Sequence, residues 1–340
     1  MIDVDKMQLV RRVGSDAFQV PPSSLGFGCA SLGSRISGKK GLGALEDAFD
    51  RGVVWFDIAP AYGAASAEEW LGRFLPGRRE NLLLTTKVGI VPPKRLGAMK
   101  LAYSVGRPFL AKVGVARRAF RRSGATRNVR KPLTAALVET SIGASLRRLR
   151  VDHVDVYALH DPMPEDVMRE DIVRALERVL TRGQARAVAV AGSYDACRAA
   201  LDDGLPYKVM QMCARDVAVH GSEFVRRGRF LVTHSVFGVG GEADHLAALL
   251  RRDRARLAGL VAQGYACEPQ RAAAGLLLDA ALASNPSGVV LASMFDARRR
   301  EENIERAGRL PRMDAPSILA DILGPHALSS SVAEDAASCG

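Results

Sequence analysis

Short apolar runs rich in β-branched residues recur along the chain, separated by stretches in which apolar residues return every three or four positions. The runs are LGFGCA (25–30), VVWFDI (53–58), NLLLTTKV (81–88), HVDVYALH (153–160), ARAVAVAG (185–192), YKVMQMC (207–213), RFLVTH (229–234) and SGVVLAS (287–293). Each reads as a strand. The intervening GALEDAFDRG, ALVETSIGASLRRLR, EDIVRALERVLTRG, HLAALLRRDRARLAGLVAQG and PQRAAAGLLLDAALAS are amphipathic, and several end in Gly after a basic last turn, a common helix stop. Strands alternating with helices predict βαβ units on a parallel sheet. Eight such units in about 300 residues predict an α/β fold of the (β/α)8 TIM-barrel type.

A doubly wound sheet is the rival. Its nucleotide loop is missing, because Gly26, Gly28 and Gly33 in GFGCASLG do not follow the G-x-G-x-x-G spacing, and no P-loop is present. At the N-terminal end, MQLVRRV followed by VGSDAFQVPPSSLG predicts a β-hairpin capping the bottom of the barrel. No fixed-period repeat and no dividing linker is seen, so residues 1–324 are expected to form one domain. The Ala/Ser-rich stretch 325–340 is expected to be a disordered tail.

Charge sharpens this picture at one place. Residues 89–138 hold twelve Lys or Arg and no Asp or Glu, and the other 290 residues then carry 36 basic against 37 acidic groups. The chain is near neutral with one basic insert, about 91–131, after the third strand. Five scattered cysteines, Cys29, Cys197, Cys213, Cys267 and Cys339, form no C-x-x-C pair, so neither a disulfide framework nor a metal site is expected. The first residues lack the apolar core of a secretory signal, and a run of about 18 uncharged apolar residues, the length of a membrane span, is absent. A reducing, cytoplasmic setting is the expectation.

In a (β/α)8 barrel the chemistry sits where strands end. Those positions hold Asp57 after the second strand, Lys87 at the end of the third and His160 after the fourth, with Tyr62 in the loop FDIAPAYG. Each has a plain alternative. Asp57 fits a turn or cap, Lys87 a snorkelling surface lysine, Tyr62 an amphipathic loop residue and His160 a backbone hydrogen bond. Convergence of all four on one mouth points instead to proton transfer. A phenol with an ordinary pKa of about 10 is expected to be brought down by a nearby ammonium that a carboxylate holds in place. It then exchanges a proton with a carbonyl or alcohol oxygen.

LGFGCASLGS, FDIAPAYGAASAEEWLG, LLLTTKVG, SIGASLRRLRVDHVDVYALHDP and VVLASMFDARRREENIE together resemble the aldo-keto reductase superfamily. The opening glycine-rich segment and the long insert are similar to its galactose/fucose/pyridoxal dehydrogenase-like branch. The resemblance implies a barrel enzyme using NAD(P)(H) to interconvert an aldehyde, ketone or sugar lactol with its alcohol or lactone. It also implies that Tyr62 is the acid/base, Lys87 its pKa modulator, Asp57 the residue orienting Lys87, and His160 the residue orienting substrate.

The cofactor positions implied by the resemblance are Ser193, Gln211, His234, Ser293, Arg299 and Asn303. Ser193 and Gln211 fit carboxamide contacts, but Tyr194 stands where the family has Asn. His234 replaces a stacking tyrosine, and Ser293 replaces a phosphate-binding lysine. Arg299 matches the arginine that meets a 2′-phosphate and Asn303 the adenine contact. With Arg298 and Arg300 beside it, Arg299 favours NADP(H) over NAD(H) through paired hydrogen bonds.

Within the insert, Val105, Phe109, Val113, Ala116 and Phe120 fall at helical spacing, interrupted by Gly106, Pro108 and Gly114. The insert fits a lid that recruits an anionic substrate, a contact with an anionic membrane surface or a nucleic-acid patch. A solvated loop or an oligomer contact is the plain alternative. Few aromatics and no nucleic-acid motif make nucleic acid the least favoured partner. The expected partner is a small carbonyl or sugar-like molecule. A catalytically retired barrel serving as a binding or regulatory subunit, or one adapted to a non-redox reaction, is the second reading, and the changes at Tyr194, His234 and Ser293 speak for it.

Overall fold

A computed structural model describes residues 11–13, 18–20, 25–91, 129–238 and 241–324. Two short antiparallel strands, β1 (Arg11–Val13) and β2 (Phe18–Val20), form the expected hairpin as a sheet of their own. Eight parallel strands then close a barrel: β3 (Leu25–Gly28), β4 (Trp55–Asp57), β5 (Leu83–Val88), β8 (Val154–His160), β9 (Ala185–Ala191), β10 (Tyr207–Cys213), β11 (Phe230–His234) and β12 (Val289–Ala292). The remaining pair, β6 (Ile90–Val91) and β7 (Val129–Arg130), is antiparallel, with Ile90 opposite Arg130. It forms the stem of the basic insert directly after β5. The insert's helical pattern over 105–120 and the tail lie outside the described residues.

Every second residue of a strand faces one side of a sheet, and this rule builds the barrel interior. Trp55, Leu83, Val156, Ala158, Ala187, Ala189, Ala191, Val209, Phe230, Val232, Val289 and Leu291 pack together as one buried cluster. Trp55 stacks on Phe230 from another strand, with ring centroids 5.7 Å apart. Gly26 makes room for this filling, since a Cβ there would lie 2.7 Å from Leu291 Cδ2 and 2.8 Å from Val289 Cγ1. Continued by two residues toward the strand ends, or by four in β5 through Thr85, the same inward rows turn polar. They reach Asp57, Lys87, His160, Gln211 and His234, so the register that buries the apolar layer also lines the mouth.

The outward rows meet helices α1 (Gly38–Asp50), α2 (Ala67–Phe74), α3 (Ala135–Leu149), α4 (Pro164–Met168), α5 (Glu170–Thr181), α6 (Tyr194–Ala199) and α7 (Ala214–Arg226). Five more follow: α8 (Glu242–Arg252), α9 (Arg254–Ala262), α10 (Pro269–Ser284), α11 (Ala297–Ala307) and α12 (Ala315–Leu323). Two outward tyrosines are satisfied by helix-side carbonyls, Tyr157 donating to Val138 O at 2.8 Å and Tyr207 to Val167 O at 2.9 Å. The amphipathic stretch 245–264 is two helices rather than one, because Asp253 interrupts it and its Oδ1 accepts from Arg256 N at 3.0 Å. That is an N-cap in the middle of the pattern. Among the described residues no helix is long and apolar enough to cross a membrane.

Candidate active site

Lys87 lies inside the mouth, 1% exposed, with Asp57 beside it at 3%. Its Nζ donates to Asp57 Oδ1 at 2.5 Å, to the Ile58 carbonyl at 3.4 Å and to the Tyr62 hydroxyl at 3.4 Å. The Tyr62 ring meets the His160 ring edge-on, with centroids 5.9 Å apart and planes at 88°. The structure therefore brings Asp57, Tyr62, Lys87 and His160 together, three from strand ends and one from a loop.

The loop that delivers Tyr62 is unusual in its backbone. Tyr62–Ala65 form a 3-10 turn in which Gly63, Ala64 and Ala65 all take positive φ, 61°, 54° and 64°. Left-handed conformations cost an alanine roughly 1–2 kcal/mol each, so packing must hold this turn. Gly63 is wedged against its neighbour: a Cβ there would sit 1.8 Å from the Leu32 carbonyl oxygen. The Ser66 hydroxyl donates to Gly63 O at 2.7 Å, and the turn runs into α2. Tyr62 is thus fixed by its own loop on one side and by Lys87 on the other.

Burial and charge then set the protonation states. Burial disfavours the Lys87 ammonium, but Asp57 and Tyr62 outweigh it and hold the Lys87 pKa above its ordinary value. Burial raises Asp57, and this rise is opposed by Lys87 and by the Gln211 amide. We take the pair as ionised, since each charge is the other's main partner. For Tyr62 burial is the largest influence; Lys87 pulls the phenol down without cancelling it, leaving the pKa above its ordinary value. The expectation of a lowered tyrosine pKa is corrected here, because a lysine already committed to Asp57 offsets only part of the cost of burying a phenolate. His160 is pushed well below the ordinary imidazole range by burial, then by Lys87, His234 and Arg130. His234 falls to about 4 through burial and Lys87. Near neutrality the mouth thus holds a neutral phenol, two neutral imidazoles and one ammonium–carboxylate pair.

The aldo/keto reductase family model matches residues 24–212, which include all four of these side chains. The chain belongs to the aldo/keto reductase family. Among its relatives are a D-threo-aldose 1-dehydrogenase of a Pseudomonas species, 27% identical over 179 residues that make up 49% of each chain, and a 6-dehydroglucose reductase of Agrobacterium fabrum, 31% identical over 43% of this chain and 41% of that one. The L-galactose dehydrogenase of Arabidopsis thaliana is 26% identical over 54% of this chain and 48% of its own. The chain spans about half the length of the curated relatives it matches. An aldo-keto reductase of Bacillus halodurans in its holo form superposes with a TM-score of 0.64 over 92% of this chain and 95% of its own. One from Klebsiella pneumoniae, in complex with NADP and acetate, gives 0.62 over 89% and 92%. At 18% identity these two establish the barrel.

The family match stops at Met212, and the departures gather near and beyond that point. Ser193 is the N-cap of α6, its Oγ accepting from Ala196 N at 3.3 Å. Tyr194 stacks on His220 of α7 at 3.9 Å between centroids and donates to Glu223 Oε2 at 3.1 Å. The family's serine–amide pair is therefore not reproduced for a nicotinamide carboxamide. Gln211 is buried at the mouth, reaching toward Asp57. His234 ends β11 half-buried, its Nδ1 2.8 Å from Ser235 Oγ. Ser293 is exposed just after β12.

At α11, Arg299 is exposed in the first turn and Asn303 is buried one turn on. The three arginines separate in role. Arg300 turns inward, its Nε donating to Asp47 Oδ2 at 2.6 Å and its Nη1 to Met294 O at 3.0 Å, so it is a strut between α1 and α11. Arg298 faces Glu302 at 3.8 Å. Arg298 and Arg299 both keep exposed side chains, and with Arg300 withdrawn the expectation of three arginines on a phosphate is reduced to two. The donor set fits a dinucleotide at Arg299, Asn303, Gln211 and His234, and falls short of the family's amide pair at Ser193 and Tyr194.

Sequence reasoning passed over two residues at this mouth. Asp161, directly after His160, has φ 55°, and Arg130, at the end of the insert's stem, contacts its carboxylate. The acid-free charge run that ends near Arg130, and the Asp-Pro step after His160, were the signals that could have found them.

Proposed function

We propose that the mouth carries out NAD(P)(H)-dependent interconversion of a small carbonyl compound, or a sugar lactol, and its alcohol or lactone. The observation that carries this reading is the buried Lys87 ammonium between the Asp57 carboxylate and the Tyr62 hydroxyl. When bound, the nicotinamide group supplies or accepts hydride, and Arg299, Asn303, Gln211 and His234 are the residues that would hold the dinucleotide. The Arg299 guanidinium favours NADP(H) over NAD(H), since a 2′-phosphate gives it a charge-assisted partner.

The chain's own residues manage the proton. In reduction, the Tyr62 phenol gives its proton to the carbonyl oxygen as that oxygen gains negative charge. The tyrosinate left behind is stabilised by the Lys87 ammonium at 3.4 Å, and Asp57 keeps that ammonium from leaving the mouth. Neutral His160 hydrogen-bonds the same substrate oxygen and holds it in line with Tyr62. In oxidation the steps reverse, with tyrosinate taking the alcohol proton. Proton transfer of this kind is worth about 10²–10⁴-fold. The basic stem beside the mouth favours a substrate that carries negative charge.

One specific observation favours a second reading. Ser193 and Tyr194 are committed to α6 and α7, as in a barrel that has given up turnover and serves as a binding subunit. Titration with NADPH and NADH, followed by a panel of aldehydes and alcohols, separates the two. Cofactor-dependent turnover supports the enzyme; failure of both cofactors to bind at millimolar concentration supports the retired barrel.

A further inference from the structure

Outside the Asp57, Tyr62, Lys87 and His160 group, one ion pair stands at the rim of the same mouth. Arg130 contacts Asp161, with side chains 43% and 32% exposed, and its Nη1 lies 3.2 Å from Met163 Sδ. Asp161 is the residue after His160, and its nitrogen donates to Ala191 O at 2.6 Å. The stem that carries Arg130 is pinned to the end of β5, with Ile90 opposite Arg130 and Lys131 N donating to Gly89 O at 2.8 Å. A cation is therefore held one residue from the imidazole that faces Tyr62, on backbone hydrogen-bonded to the end of β5. Beside it, Met163 is half exposed, at 50%. Apolar surface and a guanidinium thus share the rim.

We propose that Arg130 is a specificity-determining residue that selects carbonyl substrates bearing a carboxylate, with Asp161 as an internal stand-in that the substrate's anion displaces. This rests on the reading of the mouth as a carbonyl site. A half-exposed ion pair contributes little by itself, and Asp161 meets only Nη2 while Nη1 faces Met163 Sδ, so a substrate carboxylate that engages both nitrogens gains more than the release of Asp161 costs. The apolar body between the carbonyl and the carboxylate then gains contact with Met163. A planar guanidinium suits this role, because its fork matches a carboxylate with two parallel hydrogen bonds. Asp161 keeps the cation positioned when no substrate is present.

The test compares 4-carboxybenzaldehyde with 4-methylbenzaldehyde, which match in shape and differ in charge. The wild-type protein should favour the carboxylate in kcat/KM by tenfold or more, through KM. In Arg130→Gln that ratio should fall at least tenfold, and Arg130→Lys should restore part of it. Asp161→Asn, which keeps the positive φ accessible, removes the competing charge and should raise the ratio several-fold. Equal efficiency toward both aldehydes in the wild type, or equal losses on both in Arg130→Gln and Asp161→Asn, overturns the inference while leaving the carbonyl-site reading intact. No turnover of either aldehyde with either cofactor counts against the carbonyl-site reading itself. Calorimetric titration with the same two compounds then decides Arg130 independently: tighter binding of the carboxylate that disappears in Arg130→Gln supports it, and equal affinities overturn it.

Discussion

Lys87 Nζ sits 2.5 Å from Asp57 Oδ1, and both side chains are almost wholly inside the protein. A buried pair of this kind is stable only as a pair, since either charge alone would keep its desolvation cost without its partner. Asp57→Asn or Lys87→Met alone is expected to cost about 3–5 kcal/mol of stability. The double variant should lose much less than the sum of the two. Urea unfolding midpoints of the four proteins give the coupling directly, and additive losses would show that the pair is not coupled.

The raised Tyr62 pKa makes a statement about pH and direction. Reduction needs the protonated phenol, which is present below its pKa and lost above it, so its rate should be flat from pH 6 to 8. Oxidation needs tyrosinate and should climb with pH with no plateau below about 10, the ordinary tyrosine value. A plateau of the oxidation rate near neutrality would contradict the assignment.

His234 titrates at about 4 in the folded protein against about 6.5 in an unfolded chain. Between those values the unfolded state binds more protons, so stability is present above about 6.5 and is lost as pH falls toward 4. Replacing the imidazole removes this dependence. Relative to wild type, His234→Phe should gain up to about 1.4 kcal/mol per pH unit on descending from pH 6.5 to 4.5. Denaturation midpoints across that range check it, and a pH-independent difference between the two proteins would refute it.

In the α11 run Arg300 is committed to Asp47 and Arg298 leans toward Glu302 at 3.8 Å, while Arg299 is exposed in the first turn. Arg299→Ala should weaken NADPH binding about tenfold or more, the worth of a charge-assisted hydrogen bond, and leave NADH binding little changed. Fluorescence titration with each nucleotide measures this. Equal effects on both would remove the preference for NADP(H).

All eight barrel strands were legible as short apolar runs, and in five of them the inward row of period two carries a polar residue to the mouth: Asp57, Lys87, His160, Gln211 and His234. The run VDVYALH shows it: Val156, Ala158 and His160 share one row, apolar inside and polar at the rim. Features that depend on distant partners were not legible. Tyr194 leaves the mouth because His220 and Glu223 of α7 receive it, 26 and 29 residues further on. Arg298, Arg299 and Arg300 look alike in sequence, yet a helix turns about 100° per residue, and only Arg300 meets Asp47. The Tyr62 pKa depends on how deeply a loop is buried, which neither spacing nor charge pattern reveals.

Proton transfer at this mouth depends most directly on the Tyr62 hydroxyl beside Lys87. Tyr62→Phe removes one oxygen and leaves the loop, the ion pair and the rest of the mouth in place. Single-turnover rates with bound NADPH and an aldehyde, measured beside NADPH affinity, should show a loss of about 10²–10⁴-fold in the rate with affinity unchanged. An undiminished rate in Tyr62→Phe would contradict the central claim that this phenol carries the proton.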